Sequence, residues 1–195
     1  MEGLMRLKAM AKINLGLDVL GKREDGYHEV RMIMQTIRMY DILDIRKTRR
    51  PGIVLTTNLP FIPTDQRNLV YKAAQMLMEE FDVEEGLSIK LRKFIPVAAG
   101  MAGGSSDAAA AFVGVNRMFH LGLTEEQLME RAVKVGADVP YCIMRGTALA
   151  EGIGEKLTRL PEVPKCYVLI GKPGINVSTK TAYENLNLEG IGKHP

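Results

Sequence analysis

The sequence contains no tryptophan, only two cysteines and few aromatic residues, and each shortage excludes a class of protein. Two cysteines without metal-ligand spacing exclude a disulfide-rich scaffold, and we expect Cys142 and Cys166, which both lie in apolar surroundings, to be reduced core residues. A nucleic-acid-binding surface would need a long basic stripe with interleaved aromatics, whereas the net charge is only +3 and the one basic cluster, at 46–50, is typical of a solvated turn. We therefore expect no nucleic-acid partner.

Membrane and export signals are also missing. No run of about 18 apolar residues could span a bilayer, and the N terminus lacks the basic-then-apolar layout of a signal peptide. The 195 residues are 46% hydrophobic and 25% charged, which is ordinary usage for a globular domain. These observations predict a folded protein in the cytoplasm, with no membrane partner.

The most informative stretch that is present is a glycine-rich loop between a predicted strand and a predicted helix. Residues 87–92 alternate apolar with polar, which favours a half-buried strand, and the nearly all-apolar run 108–119 predicts a buried helix. Glycines within 100–104 would let the backbone approach an anion, and 105–107 are residue types that cap a helix start. Because the first amides of a helix lack internal partners, the loop predicts a phosphate site. A flexible turn with a serine cap is the alternative, since neither common nucleotide fingerprint is matched.

Two further polar positions favour chemistry only if they meet in space. Every odd position of 7–19 is apolar, which predicts a long strand whose polar face carries Lys12 and Asn14 about 7 Å apart. A solvated edge strand would show the same pattern. Asp138 follows the helix-ending Gly136 and precedes an apolar run. It is either a helix cap or Asx-turn residue, or a general base or cation partner if Lys12 lies close to it.

The remaining periodicity predicts an alternation of strands and helices without repeats or long linkers. A polar turn leads into a β-rich region that begins at Tyr27 and His28. The other predicted elements are a helix over 68–81, a helix that starts at a capping box at 124–127, strand and turn over 146–160, and a buried strand over 166–170.

Four motifs, in this order, resemble those of the GHMP kinase superfamily of galacto-, homoserine, mevalonate and phosphomevalonate kinases: A-K-I-N-L at 11–15, D-G-Y-H at 25–28, G-G-S-S-D-A-A at 103–109 and G-A-D-V-P at 136–140. The resemblance implies a two-layer α/β (α+β) domain related to ribosomal protein S5 domain 2. It implies an N-terminal ATP-binding domain over 1–160. Family members carry a further C-terminal domain with its own glycine-rich motif, so we expect 161–195 to begin that domain and to leave it incomplete.

The same resemblance implies an ATP-dependent, Mg²⁺-assisted kinase. The motifs are most similar to those of members whose small-molecule substrate carries a cytidine diphosphate group and is phosphorylated on the 2-hydroxyl of a methylerythritol moiety in non-mevalonate isoprenoid synthesis. That pathway runs in bacteria or, in plastid-bearing lineages, in the plastid stroma. By analogy, Asp138 accepts the hydroxyl proton, and Lys12 orients that carboxylate and offsets charge on the transferring group.

The resemblance also implies the binding residues. The adenine would lie near Asn68 and Lys93. The substrate would be held by Asn14 close to Asp138, by His28 at the edge of its base, and by Tyr27 and Tyr183 stacked on the faces of that base. The ATP phosphates would lie on the loop made of Pro96, Val97, Ala98, Ala99, Gly100, Met101, Ala102, Gly103, Gly104, Ser105 and Ser106.

Two other functions stay open from the sequence. The chain could be another GHMP small-molecule kinase of the homoserine or mevalonate type, although Tyr27 and His28 argue against this because those substrates carry no base. It could instead be a non-catalytic RNA-binding module of S5-like fold that uses the basic turn 46–50, in which case neither Lys12 nor Asp138 would be needed.

Overall fold

Two long antiparallel strands carry the rest of the architecture. The structure is a computed structural model that describes residues 3–174, 182 and 185–187. Its elements, in chain order, are β1 (Met5–Lys22), β2 (His28–Thr48), β3 (Ile53–Thr57), α1 (Leu69–Glu80), β4 (Gly86–Arg92), α2 (Gly103–Met118), α3 (Glu125–Ala132), α4 (Val139–Met144), β5 (Thr147–Gly152) and β6 (Lys156–Arg159).

The sheet has the order β3-β4-β2-β5-β6, and β1 pairs separately with β2 along nearly its whole length. All neighbours are antiparallel except β3 and β4, which are parallel. The second layer is helical, and α2 packs against β1, β2 and the other three helices. This mixed two-layer arrangement confirms the predicted fold class.

Close packing of α2 on the sheet depends on its small residues. Ala108 and Ala111 are completely buried. A methyl group on Gly114 would lie 2.3 Å from Ile45 Cδ1 and 2.7 Å from Leu7 Cδ1, so both side chains would have to shift to admit it where the helix crosses the two long strands. The alanine-rich run therefore places the start of α2 directly over the sheet.

Strand β1 departs from the predicted strict alternation. Its pairing with β2 shifts register between Met10 and Lys12, where β2 carries two extra residues, and at two later points, where β1 carries one extra residue each. Leu15 and Leu17 are consequently 52% and 47% exposed, whereas the charged Lys12 is 5% exposed. The bulges convert part of an apolar face into surface and bury one polar position.

The predicted buried strand at 166–170 is wrong. These residues form no strand, Tyr167 and Leu169 are fully exposed, and Cys166 is an exposed free thiol, whereas Cys142 is buried as expected. The described sheet ends at β6, so this apolar run has no neighbouring strand to pair with. Within the described residues, no helix combines the length and apolar character that crossing a bilayer requires.

Candidate active site

The glycine-rich loop joins β4 to α2 through left-handed backbone at alternate residues. Ala98, Gly100 and Ala102 have φ of 54°, 70° and 52°. Backbone of this kind turns successive N–H groups toward a common concavity, which suits an anion. Helix α2 begins immediately afterwards, with Ala102 as its N-cap residue.

The predicted helix caps at 105–107 lie inside the helix instead. The amide of Ser106 already donates to Ala102 O at 2.8 Å, and the Ser106 hydroxyl donates to Gly103 O at 3.0 Å. The helix starts earlier than the cap residues predicted because Ala102 adopts the left-handed conformation. The amides of the residues before Ser106, in the first turn, are the ones without intrahelical acceptors.

Gly103 is required by packing rather than by approach to an anion. A methyl group there would lie 3.1 Å from Lys93 Nζ and 3.2 Å from Ile95 Cγ2. Gly100 faces the open side of the loop. A methyl group on Gly100 would have no atom within 4 Å. The two glycines therefore serve opposite faces of the loop.

The structure brings most of the predicted nucleotide-binding residues around one cavity of about 370 Å³. The loop residues 96–104 line it together with Asn68 and Lys93, whereas Ser105 and Ser106 do not. Arg67, which the sequence analysis did not select, lies at the same cavity with its side chain 78% exposed. Its position directly before the Asn68 helix cap was the available signal.

The two predicted adenine contacts have structural tasks of their own. Asn68 caps α1, with Oδ1 accepting from Val70 N at 2.9 Å and Nδ2 donating to Pro63 O at 2.7 Å. The Lys93 amine lies between two carboxylates beneath the loop. Their contact with a nucleotide stays a prediction.

A buried ionic triad under the loop was missed by the sequence analysis. Lys93 Nζ donates to Asp41 and, at 2.6 Å, to Asp107 Oδ2. The other oxygen of Asp41 accepts from the backbone amides of Phe94 and Ile95, the latter at 2.8 Å. The triad thus ties β2, the segment after β4 and the first turns of α2 together under the cavity.

The charge of this triad is unbalanced, with two carboxylates for one ammonium. Asp107 is 2% exposed, and within the described part of the chain its Oδ1 is buried without a hydrogen-bond partner. Burial, helped by the nearby Asp41, raises the pKa of Asp107 well above its ordinary value of 3.8, although Lys93 acts in the opposite direction. This carboxyl group therefore favours its protonated form more than an exposed aspartate does.

Lys12 and Asp138 lie next to each other beside the loop. Lys12 Nζ is 3.6 Å from Asp138 Oδ2 and donates to Asn14 Oδ1 at 2.9 Å. At the first register shift the Lys12 amide donates to Met101 O at 3.2 Å, so the strand is joined directly to the glycine-rich loop. Two segments that are distant in sequence therefore place an ammonium and a carboxylate next to this loop.

Asp138 does not serve as a capping side chain in the described structure. It occupies the N-cap position of α4, but its carboxylate makes no hydrogen bond to the backbone of that helix. The side chain is 33% exposed, whereas that of Lys12 is 6% exposed. The carboxylate is therefore held toward a buried cation and remains accessible from outside. Cys142, one turn later, is inert because burial raises the pKa of its thiol.

The predicted base-binding residues lie far from this pair. Tyr27 is 60% exposed, and His28 opens β2 opposite Lys22, six residues along the strand from Met34, which pairs with Asn14. That separation corresponds to about 20 Å of extended strand. Tyr183 lies outside the described residues. Only an elongated ligand could contact both ends.

Comparison with known proteins identifies the family of the chain. Residues 68–146 match the family model described as "GHMP kinases N terminal domain". The chain is 54% identical over 191 residues to 4-diphosphocytidyl-2-C-methyl-D-erythritol kinase of Caldicellulosiruptor bescii, an alignment that covers 98% of this chain and 67% of that protein. The chain belongs to the GHMP kinase family. This confirms the predicted family.

Other relatives agree with that assignment. This GHMP kinase chain is 56% identical over 191 residues to the 4-diphosphocytidyl-2-C-methyl-D-erythritol kinase of Lachnospira eligens. The alignment covers 98% of this chain and 66% of that protein. The chain thus spans about two thirds of the length of the curated relatives it matches.

Solved structures of GHMP kinases have the same fold. The crystal structure of a 4-(cytidine 5'-diphospho)-2C-methyl-D-erythritol kinase matches with a TM-score of 0.69 at 35% identity, over 80% of this chain and 55% of that one. The homoserine kinase of Cytophaga hutchinsonii matches with a TM-score of 0.72 over 94% of this chain and 60% of that one. At 18% identity, the second match shows the fold alone.

Proposed function

We propose that this protein transfers the γ-phosphoryl group of ATP to the 2-hydroxyl of 4-diphosphocytidyl-2-C-methyl-D-erythritol. The observation that carries the proposal is the 3.6 Å approach of Lys12 Nζ to Asp138 Oδ2 beside a glycine-rich loop. Relatives at 54–56% identity that bear the name of this kinase support the choice of substrate.

In this reaction the substrate hydroxyl oxygen bonds to the γ-phosphorus while the bond to the β,γ-bridging oxygen breaks, and ADP leaves. Asp138 takes the proton of the attacking hydroxyl, which its partly exposed carboxylate can reach. The Lys12 ammonium holds that carboxylate in place and offsets negative charge on the transferring group. The transition state is loose, so positioning and electrostatics carry most of the catalysis.

The loop amides at the start of α2 would hold the ATP phosphates, since they point outward at the positive end of a helix dipole. Among the described residues, no group of three or more His, Cys, Asp or Glu side chains could hold a metal ion. Mg²⁺ would arrive with the nucleotide, because it binds largely through phosphate oxygens and retained waters. When bound, it neutralises phosphate charge.

The long β1–β2 pair fits a substrate whose base and reacting hydroxyl lie at opposite ends. Tyr27 and His28 would contact the cytosine, while Asn14 would hold the methylerythritol end near Asp138. The basic residues 46–50, which form the end of β2 and the bend after it, offer weaker support for RNA binding, because Lys47 pairs with Glu85 at 3.2 Å and lies over the Phe119 ring.

The experiment that tests the proposal measures ADP release from Mg²⁺-ATP with three acceptors in parallel. We expect turnover with the cytidine diphosphate substrate and none above background with homoserine or mevalonate. Turnover with only homoserine or mevalonate would overturn the assignment of substrate. Absence of turnover, together with RNA binding that weakens steeply with salt, would overturn the assignment as a kinase.

A further inference from the structure

The position of Asp138 depends on more than its ion pair with Lys12. Helix α4 is only six residues long, and the Asp138 carboxylate makes no capping bond to it in the described structure. The nearest cation, Lys12 Nζ, lies at 3.6 Å, which is too long for a strong hydrogen bond. The geometry of the pair therefore also depends on the contacts that hold α4 against the sheet.

A closed ring of hydrogen bonds joins α4 to β2. The Tyr141 hydroxyl donates to Gly146 O at 2.7 Å, the Gly146 amide donates to Thr36 Oγ1 at 3.1 Å, and Thr36 Oγ1 lies 3.1 Å from Tyr141 Oη. The Thr36 amide also donates to Gly146 O, at 3.0 Å. The side chains of Thr36 and Tyr141 and the backbone of Gly146 are thus all hydrogen-bonded to one another.

The direction of every bond in the ring follows from donor counting. A tyrosine hydroxyl has one hydrogen, and Tyr141 gives it to Gly146 O. The Thr36 hydroxyl must therefore donate to Tyr141 Oη, while it accepts from the Gly146 amide. Tyr141 is 1% exposed, whereas Thr36 and Gly146 are half-buried, so the tyrosine hydroxyl is the member of the ring for which a lost partner costs most. Burial also raises the pKa of Tyr141 to about 12, so the hydroxyl keeps its proton.

The ring joins the helix that follows Asp138 to the strand that pairs with the Lys12 strand. Thr36 is the residue of β2 directly opposite Lys12 in the β1–β2 register. Tyr141 lies in the turn of α4 that follows Asp138. A displacement of the ring would therefore move the Asp138 carboxylate relative to the Lys12 amine.

The turn after α4 is built to close this ring. Arg145 and Gly146 both have left-handed backbone, with φ of 60° and 85°. A non-glycine residue in that conformation is strained, and the strain persists only where surrounding contacts impose it. The Arg145 guanidinium donates to Lys8 O of β1 at 3.0 Å, which fixes the same turn to the strand that carries Lys12.

We propose that Thr36 and Tyr141 are positioning residues that set the separation of Asp138 from Lys12 for phosphoryl transfer. This inference rests on the proposed function. Tyr141 is too deeply buried to touch substrate, so it acts through the placement of α4. Displacement of a catalytic group by about 1 Å costs on the order of a hundredfold in rate, whereas nucleotide affinity depends on the separate loop.

The test compares Thr36→Val, Thr36→Ser and Tyr141→Phe in the intact protein, with Thr147→Val as the matched control. Thr147 Oγ1 donates to Gln35 Oε1 at 2.7 Å and is more deeply buried than the half-buried Thr36, but it lies outside the ring. We expect Thr36→Val and Tyr141→Phe to lower kcat by roughly 10- to 100-fold with KM for ATP within about twofold. Thr36→Ser, which keeps the hydroxyl, should restore kcat, and Thr147→Val should leave it unchanged.

The inference is overturned if Thr36→Val retains wild-type kcat, if Thr36→Ser fails to rescue it, or if Thr147→Val lowers it equally. Should Tyr141→Phe fail to fold, the two Thr36 variants still decide. Should the wild-type protein transfer no phosphoryl group, the proposed function fails, and crystal structures decide the inference instead. Thr36→Val should then lengthen the Lys12 Nζ to Asp138 Oδ2 distance by about 1 Å or more relative to Thr147→Val, and an unchanged distance would refute it.

Discussion

The two sides of the site are held in place by opposite chemistry. Beneath the glycine-rich loop, the charged triad of Asp41, Lys93 and Asp107 is almost completely buried. Beside Asp138, the hydroxyls of Thr36 and Tyr141 close a neutral ring. Buried charge is costly to leave unpaired, whereas a neutral ring costs less to break but fixes geometry. The loop side should therefore dominate stability and pH dependence, and the Asp138 side should dominate turnover.

The largest expected effect on stability comes from removing the cation of the triad. Lys93→Met leaves Asp41 and Asp107 buried without a positive partner, so we expect a loss of about 3–5 kcal/mol in the free energy of unfolding. Denaturant unfolding measures it. Lys90→Met is the control. Lys90 is exposed on β4, shortly before Lys93, and no ion pair is found for it among the described residues. That control should change stability by about 0.5 kcal/mol or less.

Thr36→Val should cost less, on the order of 1–3 kcal/mol, since it removes one neutral hydroxyl. A loss for Lys93→Met that is no greater than the loss for Thr36→Val would break the contrast between the two sides.

A smaller, pH-dependent effect should separate the two sides further. Because the folded pKa of Asp107 lies above its ordinary value of 3.8, the native state retains a proton that the unfolded chain has lost. Wild-type stability attributable to this group is therefore present below pH 3.8 and falls as the pH rises through the folded pKa. Asp107→Asn removes the titration and leaves Asp41 and Lys93 balanced. We expect the stability of the variant relative to wild type to increase with pH.

Unfolding measured at pH 5 and pH 8 checks this sign. If the stability of Asp107→Asn relative to wild type decreases with increasing pH, Asp107 is a stabilising ion-pair partner with a lowered pKa. The ring variants should show no such trend, because the Tyr141 pKa of about 12 lies far above this range.

The smallest effect concerns backbone strain in the loop. Ala102 has φ 52° and ψ 31°, a left-handed conformation that costs an L-residue roughly 1–2 kcal/mol and that glycine adopts freely. Part of the gain from relieving this strain is lost because glycine increases the conformational entropy of the unfolded chain. Ala102→Gly should therefore raise the free energy of unfolding by about 0.5–1 kcal/mol. Ala99→Gly, at a position outside the left-handed set, should lower it. Equal effects of both substitutions would show that Ala102 is not strained.

What the sequence could predict is local. The glycine-rich loop, the helix over 68–81 and the capping box at Thr124 follow from residue type and periodicity, whereas the two-layer class followed from the resemblance to GHMP kinases. The start of α2 was misplaced because a left-handed alanine has no sequence signature comparable to that of glycine. The run 166–170 was misread because an apolar pattern does not reveal whether a neighbouring strand exists.

The contacts of the site could not be predicted because they are not local. Asp41 shares its strand face with the buried Leu43 and Ile45, but an aspartate is seldom buried unless it is paired, and its partners lie more than fifty positions away. The Thr36–Tyr141 contact joins residues 105 positions apart. The bulge that buries Lys12 depends on the pairing of β1 with β2 and on the acceptor at Met101. Tertiary pairing, rather than pattern, decides these positions.

The most direct test of the central claim is a rapid-quench measurement of single-turnover phosphoryl transfer to 4-diphosphocytidyl-2-C-methyl-D-erythritol by wild type and Asp138→Asn at saturating Mg²⁺-ATP. The amide keeps the shape of the side chain but cannot take the hydroxyl proton. We predict a transfer rate about 10²–10⁴ times lower, with unchanged ATP binding and unfolding free energy. A transfer rate within a few fold of wild type would contradict the role of Asp138 as the base.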